Sequence, residues 1–170
     1  MSIKFAVLTV SDRSAAGERE DLSGPALVKA INNAGWDPSH SLIVPDDIDK
    51  IRPVLIDWSD SGIYQVILTT GGTGFSSRDV TPEATLQVID RPAPGLTEAM
   101  RAESLKITPH AMLSRAAAGI RKRTLIVNLP GSPKGALENF RIIAPVLPHA
   151  VQLLADDSRA EGNHQRPLEA

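Results

Sequence analysis

Val66-Ile67-Leu68-Thr69-Thr70-Gly71-Gly72-Thr73-Gly74-Phe75-Ser76-Ser77-Arg78-Asp79-Val80-Thr81-Pro82-Glu83-Ala84-Thr85 is the stretch on which the fold turns. Its apolar start reads as a buried strand. Three glycines follow within four residues. Thr81 then suits an N-cap, Pro82 a first helical position, and Glu83 puts negative charge in the first turn. The order is strand, glycine loop, helix. Such a loop exposes backbone N–H groups and admits a ligand closely, which holds phosphate without buried cations. It is not a P-loop, because Phe75 follows the last glycine where that motif needs lysine. It is not a dinucleotide fingerprint, because Gly72, Gly74 and Ser77 break that spacing. Glycine chosen for sterics alone is the competing account. The hydroxyls of Thr70, Thr73 and Ser76 and the Arg78-Asp79 pair favour a ligand site.

Outward from this stretch the chain alternates between strand and helix patterns. Ile3 to Val10 is apolar and β-branched, a central strand. Ser11 to Glu18 follows as a loop, and Ser23-Gly24-Pro25 opens a helix that ends at Gly35. Asp12 and Ser23 serve there either as caps or as ligand contacts. Ser41–Val44 is a second strand, closed by Pro45-Asp46-Asp47. Ile48 to Trp58 reads as a helix with Ile48, Ile51, Leu55 and Ile56 inward and Pro53 bending it. Tyr64–Leu68 is the third strand. After a helix over Thr81–Ile89, Arg91 to Leu96 is a break, and a further helix runs through Met100 to Leu105.

Ala116–Ile120 and Thr124–Val127 read as a hairpin with Arg121-Lys122-Arg123 as a solvated tip. Asn128-Leu129-Pro130-Gly131-Ser132-Pro133-Lys134 is a second loop between a strand and a helix, and Pro145–Leu154 closes the chain as an amphipathic helix. The pattern predicts an α/β fold, a three-layer αβα sandwich with a mostly parallel central sheet and one antiparallel edge strand. Residues 1–157 form one domain, and 158–170 a flexible C-terminal tail.

The 170 residues suit a single core, and a net charge of −2 argues against nucleic acid as a partner. Cysteine is absent, which excludes disulfides and thiolate metal sites. No run is apolar enough to cross a membrane, and Met1-Ser2-Ile3-Lys4 lacks a signal pattern, so a soluble cytoplasmic protein is expected. The four histidines are scattered without metal-ligand spacing, and no Gly-x-Ser-x-Gly elbow exists.

The available chemistry is hydroxyls, amides, glycine backbone and carboxylates. That set fits nucleotidyl transfer onto a phosphate, whose second pKa lies near roughly 6, so no protein base is required. Alignment of two anionic phosphates and relief of their repulsion are required. Asp46 and Asp79 repel phosphate unless a cation bridges them, and oxygen ligands favour magnesium. For Asp46 the alternative is an N-cap; for Asp79 it is a salt bridge to Arg78 or a cap near Thr81.

The segment Thr70 to Thr85, Thr-Gly-Gly-Thr-Gly-Phe-x-x-Arg-Asp-Val-Thr-Pro-Glu-Ala-Thr, resembles the signature of the molybdopterin adenylyltransferase family, and the similarity extends over nearly the whole chain. Ser-Asp-x, Ser-Gly-Pro, Pro-Asp and Asn-x-Pro-Gly-x-Pro segments lie at matching places. The resemblance implies transfer of AMP from ATP, with Mg2+, to molybdopterin, giving adenylylated molybdopterin and pyrophosphate. It implies that Asp46 and Asp79 are catalytic, metal-associated carboxylates, with Asp47 the cap. It places Gly71, Gly72, Thr73 and Gly74 in the nucleotide and phosphate loop. It makes Ser104, Asn128, Pro130, Gly131 and Ser132 ligand contacts, with Ser114 a weaker one. It implies a homotrimer and hand-over of product to a molybdenum insertase. Ser77 stands where many members have proline, which implies a more mobile loop. A paralogue that binds pterin or nucleotide without turnover is the rival reading. Another is the related domain of molybdenum insertases or competence-damage proteins.

Overall fold

The computed structural model describes residues 2–155. The expected domain boundary at 157 and the tail over 158–170 lie outside the described residues.

Seven α-helices and six strands make up the described residues, in chain order. They begin with β1 (Lys4–Val10), α1 (Asp12–Ala15), α2 (Ser23–Asn33), β2 (Asp37–Val44), α3 (Ile48–Asp60) and β3 (Val66–Thr70). Then come α4 (Thr81–Leu86), β4 (Arg91–Pro92), α5 (Pro94–Leu105), β5 (Ala118–Arg121), β6 (Thr124–Leu129), α6 (Pro133–Ile143) and α7 (Leu147–Leu154). Short 3-10 turns at Pro109–Leu113 and Ala144–Val146 precede β5 and α7. The sheet order is β2-β1-β3-β6-β5-β4. The first four strands are parallel. β5 runs antiparallel to β6, and β4 adds a two-residue antiparallel rung beyond it. The sandwich and its antiparallel edge are as the sequence predicts.

Alternation along the central strands sends side chains to two cores. Phe5, Val7, Val66, Leu68, Leu125 and Val127 pack with Leu27, Ile31, Phe140, Ile143 and Leu147 of α2, α6 and α7. Ala6, Leu8, Ile67 and Ile126 pack with Ile51, Leu55, Trp58 and Ala84 of α3 and α4. β1, β3 and β6 are buried on both faces, which is why they read as continuous apolar runs.

Local departures have local causes. Arg91-Pro92, read as a break, pairs with Ile120 and Gly119. The loop after β1 contains a turn of helix capped by Ser11, whose side chain accepts from Ser14 N–H at 3.2 Å. Ser23 does not cap α2. Asp21 does so from outside, accepting from Gly24 N–H at 3.0 Å and from the Thr9 hydroxyl at 2.6 Å. Thr81 is the first residue of α4, not its cap. Its hydroxyl donates back to Gly71 O at 2.9 Å and its N–H to Gly72 O at 3.1 Å. Asp47 caps α3, accepting from Asp49 N–H at 2.8 Å.

The tip over residues 121–123 is not simply solvated, because Arg121 forks onto both carboxylate oxygens of Asp60 at 2.9 Å. Lys122 takes the left-handed conformation there, at φ 51°.

Candidate functional site

Strand order reverses between β1 and β3, so their carboxyl ends splay apart and leave a crevice. A cavity of about 790 Å³ opens there. Its floor is Thr9-Val10 and Thr70-Gly71, and Asp46, Asp79, Gly72, Gly131 and Ser132 also line it. A second cavity of about 310 Å³ lies on the other side of the glycine loop. Thr73, Gly74, Ser104, Ser114, Pro130 and Ser132 line it, with Ile107, Leu113 and Arg101. The two loops named in the sequence therefore form a ridge between two adjoining cavities, with Ser132 facing both.

Backbone contact welds that ridge. Gly71 N–H donates to Leu129 O at 3.2 Å, and the Thr70 hydroxyl donates to Pro130 O at 2.7 Å. A Cβ on Gly131 would lie 3.2 Å from the Gly71 Cα, so the loops meet where both lack side chains. Gly71 and Gly72 take φ values of 105° and 66°, a region that L-residues with side chains seldom occupy. A Cβ on Gly72 would also come within 2.9 Å of Asp46 Oδ1. That close approach accounts for the glycine pair. Gly71 N–H is spent inside the ridge. No hydrogen bond among the described residues uses the N–H groups of Gly72, Thr73 or Gly74, which leaves three donors for an anion.

Asp46 is clasped to the β1 loop. Its Oδ2 accepts from Asp12 N–H at 2.8 Å, and its own N–H donates to Asp12 Oδ1 at 3.0 Å. Arg78 donates from Nε and Nη2 to Asp12, each at 2.9 Å. Arg78 thus ties the glycine loop to the β1 loop instead of pairing with its neighbour Asp79. Asp79 Oδ2 accepts from Ser76 N–H at 2.9 Å, closing a tight turn. The Arg78 hydrogen bond holds the Asp12 carboxyl below its ordinary range. Burial pushes the Asp46 carboxyl up, and the charges of Asp12 and Asp79 add to the rise. Five carboxylates (Asp12, Glu20, Asp21, Asp46 and Asp79) and three guanidiniums (Arg13, Arg19 and Arg78) line this cavity, so it carries excess negative charge.

Asn128 is not brought to either cavity. It is fully buried. Its Nδ2 donates to the hydroxyls of Thr69 at 2.9 Å and Thr85 at 2.8 Å, and its Oδ1 accepts from Ala117 N–H at 3.1 Å. Position 128 faces the α4 side because Leu129 and Val127 occupy the other face of β6. Its amide is used to join β6 to β3, to α4 and to the residue before β5, so the expected ligand contact is not made by this amide. Ser104 is at the second cavity, where its hydroxyl accepts from Asn139 Nδ2 at 3.4 Å.

Two neighbours of the site are poorly legible in the sequence. Asp12 reads equally as cap or ligand contact, and Arg115 carries no local signal at all. Arg115 bonds to the main chain of the glycine loop and to Glu83. No local motif marks either pairing.

The α/β sheet thus brings unengaged backbone amides and two carboxylates to the crevice at its switch point, the place where sheets of this class hold ligands. The chain belongs to the family described as "Probable molybdopterin binding domain", which matches residues 6–149. It is 47% identical over 158 residues to gephyrin of Dictyostelium discoideum, covering 87% of this chain. The chain spans only 22% of the length of that relative. It is 43% identical to molybdopterin adenylyltransferase of Helicobacter pylori (strain J99), over 90% of this chain and 88% of that one. The molybdopterin biosynthesis enzyme MoaB of Thermus thermophilus superposes with a TM-score of 0.86 at 46% identity, covering 91% of this chain and 98% of that one.

Proposed function

We propose that this chain is a molybdopterin adenylyltransferase. A phosphate oxygen of molybdopterin attacks the α-phosphorus of ATP, the bond from that phosphorus to the bridging oxygen breaks, and pyrophosphate leaves. The observation that carries the reading is the ridge itself. Three unengaged N–H groups lie beside Asp46 and Asp79, between two cavities that can take two substrates. The relatives named molybdopterin adenylyltransferase support it.

The chain's own residues align and neutralise. The amides of Gly72, Thr73 and Gly74 bind phosphate oxygens, and the hydroxyls of Thr73, Ser104 and Ser132 with Pro130 and Gly131 shape the walls. The attacking phosphate is already ionised, so no residue removes a proton. Mg2+ fits the excess negative charge of Asp46 and Asp79. Oxygen ligands of this kind suit magnesium, which commonly binds through one or two carboxylates together with substrate phosphates. Asp46 and Asp79 would hold the ion, which supplies charge neutralisation on the phosphates when bound.

Assembly as a homotrimer, hand-over to a molybdenum insertase and a cytoplasmic location belong to the same reading and rest on the family resemblance. No helix among the described residues is long and apolar enough to cross a membrane. The test is incubation with molybdopterin, ATP and magnesium. Adenylylated pterin and pyrophosphate in equal amounts are expected, and binding of both substrates without product would reduce the protein to a binding paralogue.

A further inference from the structure

We propose that Arg115 is the positioning residue for adenylyl transfer, setting the peptide planes of the glycine loop and the backbone of Asp79 at once. The proposal rests on the reaction described above.

Arg115 lies between the 3-10 turn at Pro109–Leu113 and β5. Its main-chain N–H donates to Thr73 O at 2.9 Å. Its Nε donates to Gly74 O at 2.7 Å and its Nη2 to Asp79 O at 2.6 Å. Its Nη1 is bonded to Glu83 of α4. One guanidinium therefore reaches the wall of the second cavity through Gly74 and the wall of the first through Asp79.

A trans peptide points its C=O and its N–H in opposite directions. Holding Thr73 O therefore turns the N–H of Gly74 away from Arg115. Holding Gly74 O does the same for the N–H of Phe75. Holding Asp79 O sets the peptide from which the Asp79 side chain projects. These groups otherwise sit in a turn that contains two residues with positive φ and an exposed Ser76-Ser77-Arg78 tip. Nothing else among the described hydrogen bonds holds the carbonyls of Thr73, Gly74 and Asp79. The bond to Thr73 O comes from the main chain, but only a planar fork with several donors can serve Gly74 O, Asp79 O and Glu83 together; an ammonium is a single point. Glu83 anchors the fork. Burial pushes its carboxyl up, but the Arg115 hydrogen bond, a backbone hydrogen bond at Glu83 itself and the Arg115 charge together hold it below its ordinary range. Arg115 touches no reacting atom, so it acts through the loop and not as a catalytic group.

The experiment compares Arg115→Ala, Arg115→Lys and Glu83→Gln with wild type. It reads single-turnover adenylylation, molybdopterin and pyrophosphate binding by calorimetry, and hydrogen exchange of residues 72–80. Arg115→Ala is expected to lose about a hundredfold in turnover rate, with molybdopterin affinity within about threefold. Exchange should quicken in residues 72–80 and stay unchanged in α2 and α6. Added guanidinium at millimolar concentration should restore part of the rate in Arg115→Ala and none in wild type. Lysine should not restore it. Glu83→Gln, which keeps shape and fold, should show the same pattern more weakly. Turnover of Arg115→Ala within about fivefold of wild type overturns the proposal. So does an equal loss of pterin binding and rate without guanidinium rescue. If Arg115→Ala does not fold, Glu83→Gln decides alone, and unchanged exchange and rate in it overturn the proposal. Should wild type transfer no AMP, the reaction reading fails separately, and exchange with pyrophosphate binding still tests whether Arg115 sets the loop.

Discussion

The two ends of the parallel strands use the same residue types to opposite effect. At the amino ends, Asp60 is met by two cations, with Arg121 on both of its oxygens and Lys122 Nζ at 3.1 Å. The Arg121 and Lys122 hydrogen bonds lower its carboxyl to about 2. At the carboxyl ends Arg78 is taken up by Asp12, and the Asp46 carboxyl is raised by burial and by its like-charged neighbours Asp12 and Asp79. One end is balanced in the protein alone. The other is left to be balanced by what binds. Charge that stays unneutralised in a folded protein costs stability, so its placement beside three unused amides marks that end as the working one.

The strongest way to break this contrast is Asp79→Asn. It keeps shape and one oxygen but removes a charge from the working end. A loss of about 3 kcal/mol in transition-state stabilisation is expected, a hundredfold or more in single-turnover rate, with molybdopterin binding little changed. Turnover within about tenfold of wild type would return Asp79 to a turn-closing role.

Asn128→Ala draws the boundary of the working end from inside. The variant strands the Thr69 and Thr85 hydroxyls and the Ala117 N–H in the core. Denaturant titration should show a stability loss of about 1–3 kcal/mol, while substrate affinities of the folded fraction hold. A selective loss of ligand affinity at full stability would put Asn128 back in the site.

Asp46→Asn should separate stability from activity. The folded state raises the Asp46 pKa, so its charged form is penalised at neutral pH, and the penalty lifts as pH falls through that raised value. The asparagine can still accept from Asp12 N–H. Its Tm at neutral pH should exceed wild type by on the order of one or two degrees, the gap closing in acid, while adenylylation is lost. A lower Tm at neutral pH would contradict the excess charge.

The smallest effect lies at the balanced end. A lowered pKa means that Asp60 contributes stability above its ordinary 3.8, and that this is lost as pH falls toward about 2. Thermal scans of wild type and Asp60→Asn should therefore differ at neutral pH and converge over that interval. Curves that stay parallel to pH 2 would remove the ion cluster from the account.

What the sequence alone determined is what short-range physics encodes. Continuous apolar runs at β1, β3 and β6 specify strands buried on both faces, and amphipathic spacing at α2 and α3 specifies which stripe faces in. Alternation of the two yields the sandwich, and three glycines between a strand and a helix mark the ridge. Tertiary structure decided who pairs with whom. Arg78 chose Asp12, 66 residues away, over adjacent Asp79. Asn128, in a loop motif that resembles a ligand contact, turned into the core because strand alternation at β6 points it toward Thr69 and Thr85. Arg115 met Gly74 and Asp79 only because β5 runs back antiparallel beside β6. Propensity and periodicity act over a few residues, while a hydrogen bond between distant side chains exists only once loops have closed and strand register has set each side chain's face.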